Sequence, residues 1–306
     1  MRLIFVATGD IALPSFRHLL EHGPRPLALV TQPDKPVGRK QQMMPPATKT
    51  EALAAGIPVM QPKKIGDATE ELAALDPEIV VVFAYGQILN DDTLNLASRA
   101  IINLHGSLLP KYRGAACIQA AIDAGDSDTG VTALHVVRKL DAGDLILSKS
   151  TPIAPDDTAG VLHDRLADIA AEVLAESLQK LANGTAERVP QVDEESSYIG
   201  KLERGDGKLD WSMTAEQLER RIRAYDPWPG SFTTVLEGGK EKRLKVFPPT
   251  RLSDESLALG AVKVDDGRLW VGTGEGSLEL TIVQPDGGKR MASSDYLCGK
   301  APEKFI

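Results

Sequence analysis

"AIINLHGSLLPKYRG" occupies residues 100–114, and its reading decides the fold. The near-continuous apolar run at its start is what a strand buried on both faces of a parallel sheet requires. The run closes on Asn103 and His105, two residues apart, so both side chains leave the strand on one side. In an open α/β sheet, ligands bind beyond the carboxyl ends of the strands, so an amide and an imidazole placed there face the crevice. An isolated Asn-x-His is more often a satisfied structural pair than a working one, and the rest of the chain has to decide.

Upstream, "LIFVA" (3–7), "PLALVT" (26–31) and "IVVVFA" (79–84) read as further buried strands, with a helix over "LPSFRHLLEHG" between the first two. Downstream, "VTALHVV" (131–137) and "DLILSKS" (144–150) form a closely spaced pair, followed by a helix over 157–182 that Asn183-Gly184 stops. This alternation specifies an α/β fold: a Rossmann-like domain with a mostly parallel sheet over residues 1–188. The composition then changes. Residues 189–205 are polar and turn-rich and read as a linker. Residues 206–306 begin with a helix at "TAEQLERRIRAY", where Thr214 and Gln217 have capping-box spacing, and continue as short alternating runs separated by Gly and Asp. That pattern specifies a small β-barrel (OB-like) domain. The Gly-rich "VGTGEGS" (271–277) is not placed between a strand and a helix, so it reads as a hairpin turn rather than a phosphate loop.

The chain has 306 residues, two cysteines and a formal net charge of −8. The average surface therefore repels nucleic acid, and any such contact must come from a local basic patch. Cys117 and Cys298 are far apart, which suits a reducing, cytoplasmic setting rather than a disulfide framework. No apolar run reaches membrane-spanning length, so no membrane partner is expected. No residues show metal-site spacing, and no metal is expected.

Asp141 lies in "KLDAGDLIL", ordinary turn chemistry taken alone. If that turn sits beside the end of the 100–105 strand, an amide, an imidazole and a carboxylate share one pocket. Such a trio suits acyl transfer to an amine: amide and imidazolium stabilise an oxyanion, and a carboxylate keeps the imidazole protonated and passes protons through water. No Ser or Cys nucleophile arrangement is present, which favours direct transfer.

With "NLH", "LDAGD" and "FAYGQIL" (83–89), the segment "HGSLLPKYRGAA" (105–116) resembles the formyltransferases that use 10-formyltetrahydrofolate. "QPDKPVGRK" (32–40), "IPVMQP" (57–62), "DGKLDWS" (206–212) and "RIRAYDPWPGSF" (221–232) resemble the branch of that family acting on methionyl-tRNA. The resemblance implies a fold of two domains, a formyltransferase domain and a C-terminal barrel that helps hold tRNA. It implies catalytic roles for Asn103, His105 and Asp141. It implies a folate site lined by Ser107, Leu108, Leu109, Pro110 and Leu89, with 10-formyltetrahydrofolate as co-substrate, initiator methionyl-tRNA as partner and a monomeric enzyme. Two departures stand out: "ATGD" (7–10) where the family usually has Gly-Thr-Pro, and Cys117 where it usually has proline.

"KPVGRKQQMMPPATK" (35–49) carries four basic residues and no acidic one. A solvated loop is the bland reading, but the connection is long for a βα loop. The resemblance implies that it reaches the tRNA acceptor end, with Arg39 and Lys40 as contacts. Arg220, Arg221 and Arg223 read first as a solvated helix face, with tRNA contact the lesser alternative. Two rival functions remain at this stage: a formyltransferase acting on a small amine such as a nucleotide sugar or glycinamide ribotide, against which the basic segment and the second domain argue, and a non-catalytic RNA-binding protein, against which the intact trio argues.

Overall fold

The computed structural model describes residues 1–37, 41–299 and 301–306. They form two compact units, one of residues 1–117, 129–151 and 163–199, the other of residues 118–128, 152–162 and 200–306.

The strands of the first unit are β1 (Leu3–Ala7), β2 (Ala28–Val30), β3 (Lys35–Val37), β4 (Gln42–Met44), β5 (Val59–Met60), β6 (Ile79–Phe83), β7 (Ala100–His105), β8 (Arg113–Gly114), β9 (Asp128–His135), β10 (Leu145–Pro152) and β11 (Tyr198–Ile199). Its main sheet has the order β10-β9-β7-β6-β1-β2-β5. The five strands from β7 to β5 run parallel, and β9 is antiparallel to β7. Every residue of β1 and β6 is buried, as unbroken apolar runs require when both faces of a sheet are covered. Ile4 and Val6 of β1 and Val80 and Val82 of β6 share one face and pack with Ile65, Leu72, Leu89 and Ile101. The helix Ala159–Asn183 ends where Gly184 turns into the left-handed region at φ +69°, matching the expected stop.

Residues 189–199 are not free chain. Val189 exchanges two backbone hydrogen bonds with Leu145, and β11 pairs in parallel with β8. Both contacts lie within the first unit.

In the second unit, β12 (Ser231–Glu237), β13 (Lys240–Ser253), β14 (Val262–Asp265), β15 (Arg268–Gly272), β16 (Ser277–Pro285), β17 (Met291–Ala292) and β18 (Lys304–Phe305) form one sheet. The order is β14-β15-β16-β13-β12-β18, with β17 on β16. An isolated bridge from Ala261 to Lys304 brings the two edges together, so the sheet nearly closes into a barrel, which protects edge strands from foreign pairing. The helix Ala215–Ala224 starts at the expected capping box, with reciprocal Thr214–Gln217 bonds of 3.1 and 3.2 Å. Its buried Leu218 and Ile222 join Trp211, Val246, Leu280 and Phe305 in the core.

The arginines of that helix are not a solvated face. Arg220 pairs with Glu216, Arg221 with Asp123 at 2.9 Å, and the buried Arg223 with Glu219 and the Asp157 carbonyl. Asp123 and Asp157 lie in the two short segments that group with this unit. Among the described residues no helix is long and apolar enough to cross a membrane.

Candidate active site

β7 delivers Asn103 and His105 to the carboxyl end of the sheet, and the turn between β9 and β10 delivers Asp141. The three meet. Asn103 Nδ2 donates to Asp141 Oδ1 at 3.2 Å. His105 Nδ1 lies 3.7 Å from Asp141 Oδ2. The other oxygen contact comes from the main chain, where Gly114 N donates to Asp141 Oδ2 at 2.9 Å. Asp141 itself sits in the left-handed region at φ +50°, which an Asp tolerates better than most residues.

His105 is buried, and its Nε2 lies 2.8 Å from the Tyr112 carbonyl oxygen. A carbonyl only accepts, so Nε2 carries a proton. Burial is the largest single influence on the ring and opposes its cation. The Cys117 side chain, hydrogen-bonded to the ring, together with the Asp141 carboxylate and the Tyr112 carbonyl, outweighs burial and pushes the imidazole up to about 9. At neutral pH His105 is therefore an imidazolium, facing a carboxylate on one side. Cys117, noticed in the sequence only as a departure from the family pattern, is thus part of the site. The readable signal was an apolar-sized thiol opening a helix (Cys117–Ala124) just after "RGAA"; nothing in the spacing tied it to His105.

The segment after His105 is fastened to β9. Ser107 Oγ donates to the Lys111 carbonyl at 2.6 Å, and Thr132 Oγ1 donates to the Ser107 carbonyl at 2.7 Å. The Leu109 amide donates back to Thr132 Oγ1 at 3.3 Å. Leu109 is buried, while Leu108 and Pro110 are partly exposed. Leu89 lies in the core cluster with Val82, Tyr85 and Ile101. Of the five expected folate-lining residues, Ser107 thus spends its hydroxyl on the loop, and Leu89 is taken up by the core cluster.

The loops following β6 and β9 present apolar side chains to solvent: Ile88 is 76 % exposed, Val137 43 % and Leu140 47 %. An ion pair between Asp91 and Arg138 joins the two loops. Uncovered apolar groups on two strand-end loops can pack against the face of a flat ring. An open pocket of about 640 Å³ runs along Gln32, Lys63, Lys64 and Gly86–Ile88; the trio does not line it.

In the basic segment, β3 and β4 form an antiparallel ribbon. Lys49 is ion-paired with Asp34 at 2.8 Å, and Lys35 donates to the Gln32 side chain. Arg39 and Lys40 lie outside the described residues. Among the described residues no group of three or more His, Cys, Asp or Glu side chains could hold a metal ion.

The family model for formyl transferase matches residues 7–178, and that for the formyl transferase C-terminal domain matches residues 201–301. This chain belongs to the formyl transferase family. It is 46 % identical to a methionyl-tRNA formyltransferase of Akkermansia muciniphila over 311 aligned positions, covering 100 % of this chain and 99 % of that one. It is 40 % identical to the methionyl-tRNA formyltransferase of Marinobacter nauticus, covering 98 % and 96 %. The N-formyltransferase of Helicobacter canadensis, solved with folinic acid and dTDP-3-aminofucose, shares the fold at a TM-score of 0.67 and 19 % identity, over 92 % of this chain and 98 % of that one. The two formyl transferase matches leave residues 179–200 between them.

Proposed function

We propose that this chain transfers the formyl group of 10-formyltetrahydrofolate to the α-amino group of methionine carried on initiator tRNA, giving N-formylmethionyl-tRNA for translation initiation in the cytoplasm. The observation that carries the reading is the cluster of Asn103, His105 and Asp141 in a chain aligned end to end with relatives of that name. The two free cysteines agree with a reducing compartment.

The net reaction forms a C–N bond to the amine and breaks the C–N bond to the folate. One proton leaves the amine and one arrives on the folate nitrogen. A free α-amine has a pKa of about 8, so part of it is already nucleophilic at neutral pH. The chain has two tasks, positioning and charge stabilisation.

His105 supplies a cation aimed at the carbonyl oxygen as it becomes an oxyanion. Asn103, held by Asp141 Oδ1, presents its amide at the same end of β7 and fixes the carboxylate. Asp141 maintains the charge on His105 and relays the amine's proton through water toward the leaving nitrogen. Ser107–Pro110 form the backbone wall of the folate site, Leu89 supports the 86–90 loop, and Ile88, Val137 and Leu140 cover the pterin. Bound 10-formyltetrahydrofolate supplies the activated formyl group.

The basic segment brings cations toward the acceptor end of tRNA. Arg39 and Lys40 carry that role in this reading, since Lys49 is already balanced by Asp34. Residues 1–188 form the catalytic domain, and residues 206–306 hold tRNA. The test is incubation of the purified protein with 10-formyltetrahydrofolate and methionyl initiator tRNA, followed by detection of formylmethionine. Formylation of a small amino sugar in its place would overturn the reading.

A further inference from the structure

Arg113 has no exposed surface, although its guanidinium is always charged. Its Nε and Nη2 donate to Gln191 Oε1 at 3.0 and 2.8 Å. Its Nη1 donates to Asp193 Oδ1 at 2.9 Å and to the Tyr198 hydroxyl at 3.0 Å. Gln191 then turns its other end to the catalytic turn: Nε2 donates to the Asp141 carbonyl at 2.9 Å and to the Gly143 carbonyl at 2.7 Å. The amide has only one orientation that works. A guanidinium can only donate and must face Oε1, while two carbonyls can only accept and must face Nε2. Both donors and both lone pairs of the Gln191 side chain are used.

The contacts close a ring. Gly114, the neighbour of Arg113, donates its amide to the Asp141 carboxylate. The dipeptide Arg113-Gly114 therefore grips Asp141 twice, directly at the side chain and through Gln191 at the main chain. Close approach is built in at both ends. A Cβ on Gly114 would meet the Ile199 carbonyl oxygen at 2.3 Å, and one on Gly143 would meet the His135 carbonyl oxygen at 1.8 Å. Lys139, two residues before Asp141, is ion-paired with Asp193 at 2.6 Å, so the strap holds the turn from a third point.

We propose that Gln191 is a positioning residue for the reaction: it locks the main chain of the 141–143 turn, with Asp141 in the left-handed conformation, and thereby sets the Asp141 carboxylate against His105 and Asn103. The inference rests on the formyl-transfer reading above. It assigns a working part to residues 189–199, which neither family model covers. A left-handed non-glycine residue is held only where its surroundings over-determine it, and Gln191 supplies two of the bonds that do so here. Without them, Asp141 loses the fixed backbone from which its side-chain contacts are aimed.

The test uses the full chain. Gln191→Met is neutral and of similar length, cannot donate to the Asp141 and Gly143 carbonyls, and offers Arg113 only a weak thioether acceptor. Its kcat for methionyl-tRNA should fall about 10- to 100-fold, as for loss of a group that aims a general acid–base, with KM for both substrates within about twofold of wild type. The His105 imidazole, titrated by NMR, should lose its proton at lower pH than in wild type, because Asp141 no longer faces it squarely; Cys117 and the Tyr112 carbonyl, the other groups on the ring, are untouched. A merely structural glutamine would lower Tm and leave the imidazole titration and kcat unchanged, and that result overturns the proposal. Gln191→Glu keeps the Arg113 contacts but opposes two carbonyls with an acceptor, so its kcat should fall as well, even if the Met variant does not fold. Wild-type kcat in the folded Glu variant would also overturn the proposal. The imidazole titration needs no turnover. A wild type inactive on methionyl-tRNA but with the Gln191-dependent shift would therefore overturn the functional reading and leave the positioning role standing.

Discussion

The Gly114 amide and the Asp141 carboxylate are 2.9 Å apart, and this main-chain bond places the only carboxylate of the trio. Gly114 adopts φ +105°, a conformation that L side chains rarely adopt, and a Cβ there would meet the Ile199 carbonyl oxygen at 2.3 Å. Gly114→Ala should therefore destabilise the protein by roughly 1–3 kcal/mol through strain alone. It should also lower kcat by at least about tenfold, because a displaced β8 takes the amide from Asp141. Thermal unfolding and steady-state kinetics on the same preparation check both. An unchanged Tm would show that β8 can move aside at no cost.

The pH dependence follows from His105. Its folded pKa, about 9, is raised above the ordinary 6.5. The charged ring therefore contributes stability in full below pH 6.5, and that contribution is lost as pH rises through about 9. Activity needs the amine neutral and the imidazole charged, so kcat/KM should rise toward pH 8 and fall above about 9. Cys117→Ala removes one of the contacts that outweigh burial, so its upper limb should move to lower pH. A pH–rate profile for the two proteins decides this. Coincident upper limbs would mean that Cys117 does not act on the ring.

Much of this was legible in the sequence because it is local. The apolar run of β7 ends at His105 as read, since an unbroken buried run followed by polar groups has few other interpretations. Thr214 and Gln217 announced a helix start through a spacing of three. The roles of Arg113, Gln191 and Arg221 were not legible. A guanidinium in a loop reads as a surface group, and only the fold brings Gln191 to a turn fifty positions earlier or Asp123 to Arg221. Residues 189–205 read as a linker because polarity and turn residues signal exposure; the hydrogen bonds that hold 189–199 are made with partners remote in sequence.

For the basic segment, the charges should not be equivalent. Lys49 is already paired with Asp34, so Lys49→Ala should leave the salt dependence of tRNA binding nearly unchanged. Arg39→Ala should make the slope of log K against log salt shallower by about 0.7–0.9, the loss of one phosphate contact. Folate-analogue binding should not change in either variant. Binding titrations across a salt series measure all three. Superimposable tRNA curves for wild type and Arg39→Ala would move the electrostatic contact elsewhere.

The most direct measurement of the central claim is the single-turnover rate of formyl transfer to methionyl initiator tRNA by wild type, Asn103→Ala, His105→Ala and Asp141→Asn, each checked for native folding. Removal of a group aimed at developing charge costs about 10²-fold or more. The expected result is formylmethionine from wild type, a loss of at least that size in His105→Ala and Asn103→Ala, and a severe loss in Asp141→Asn. A folded His105→Ala protein that forms formylmethionine at close to the wild-type rate would contradict the account.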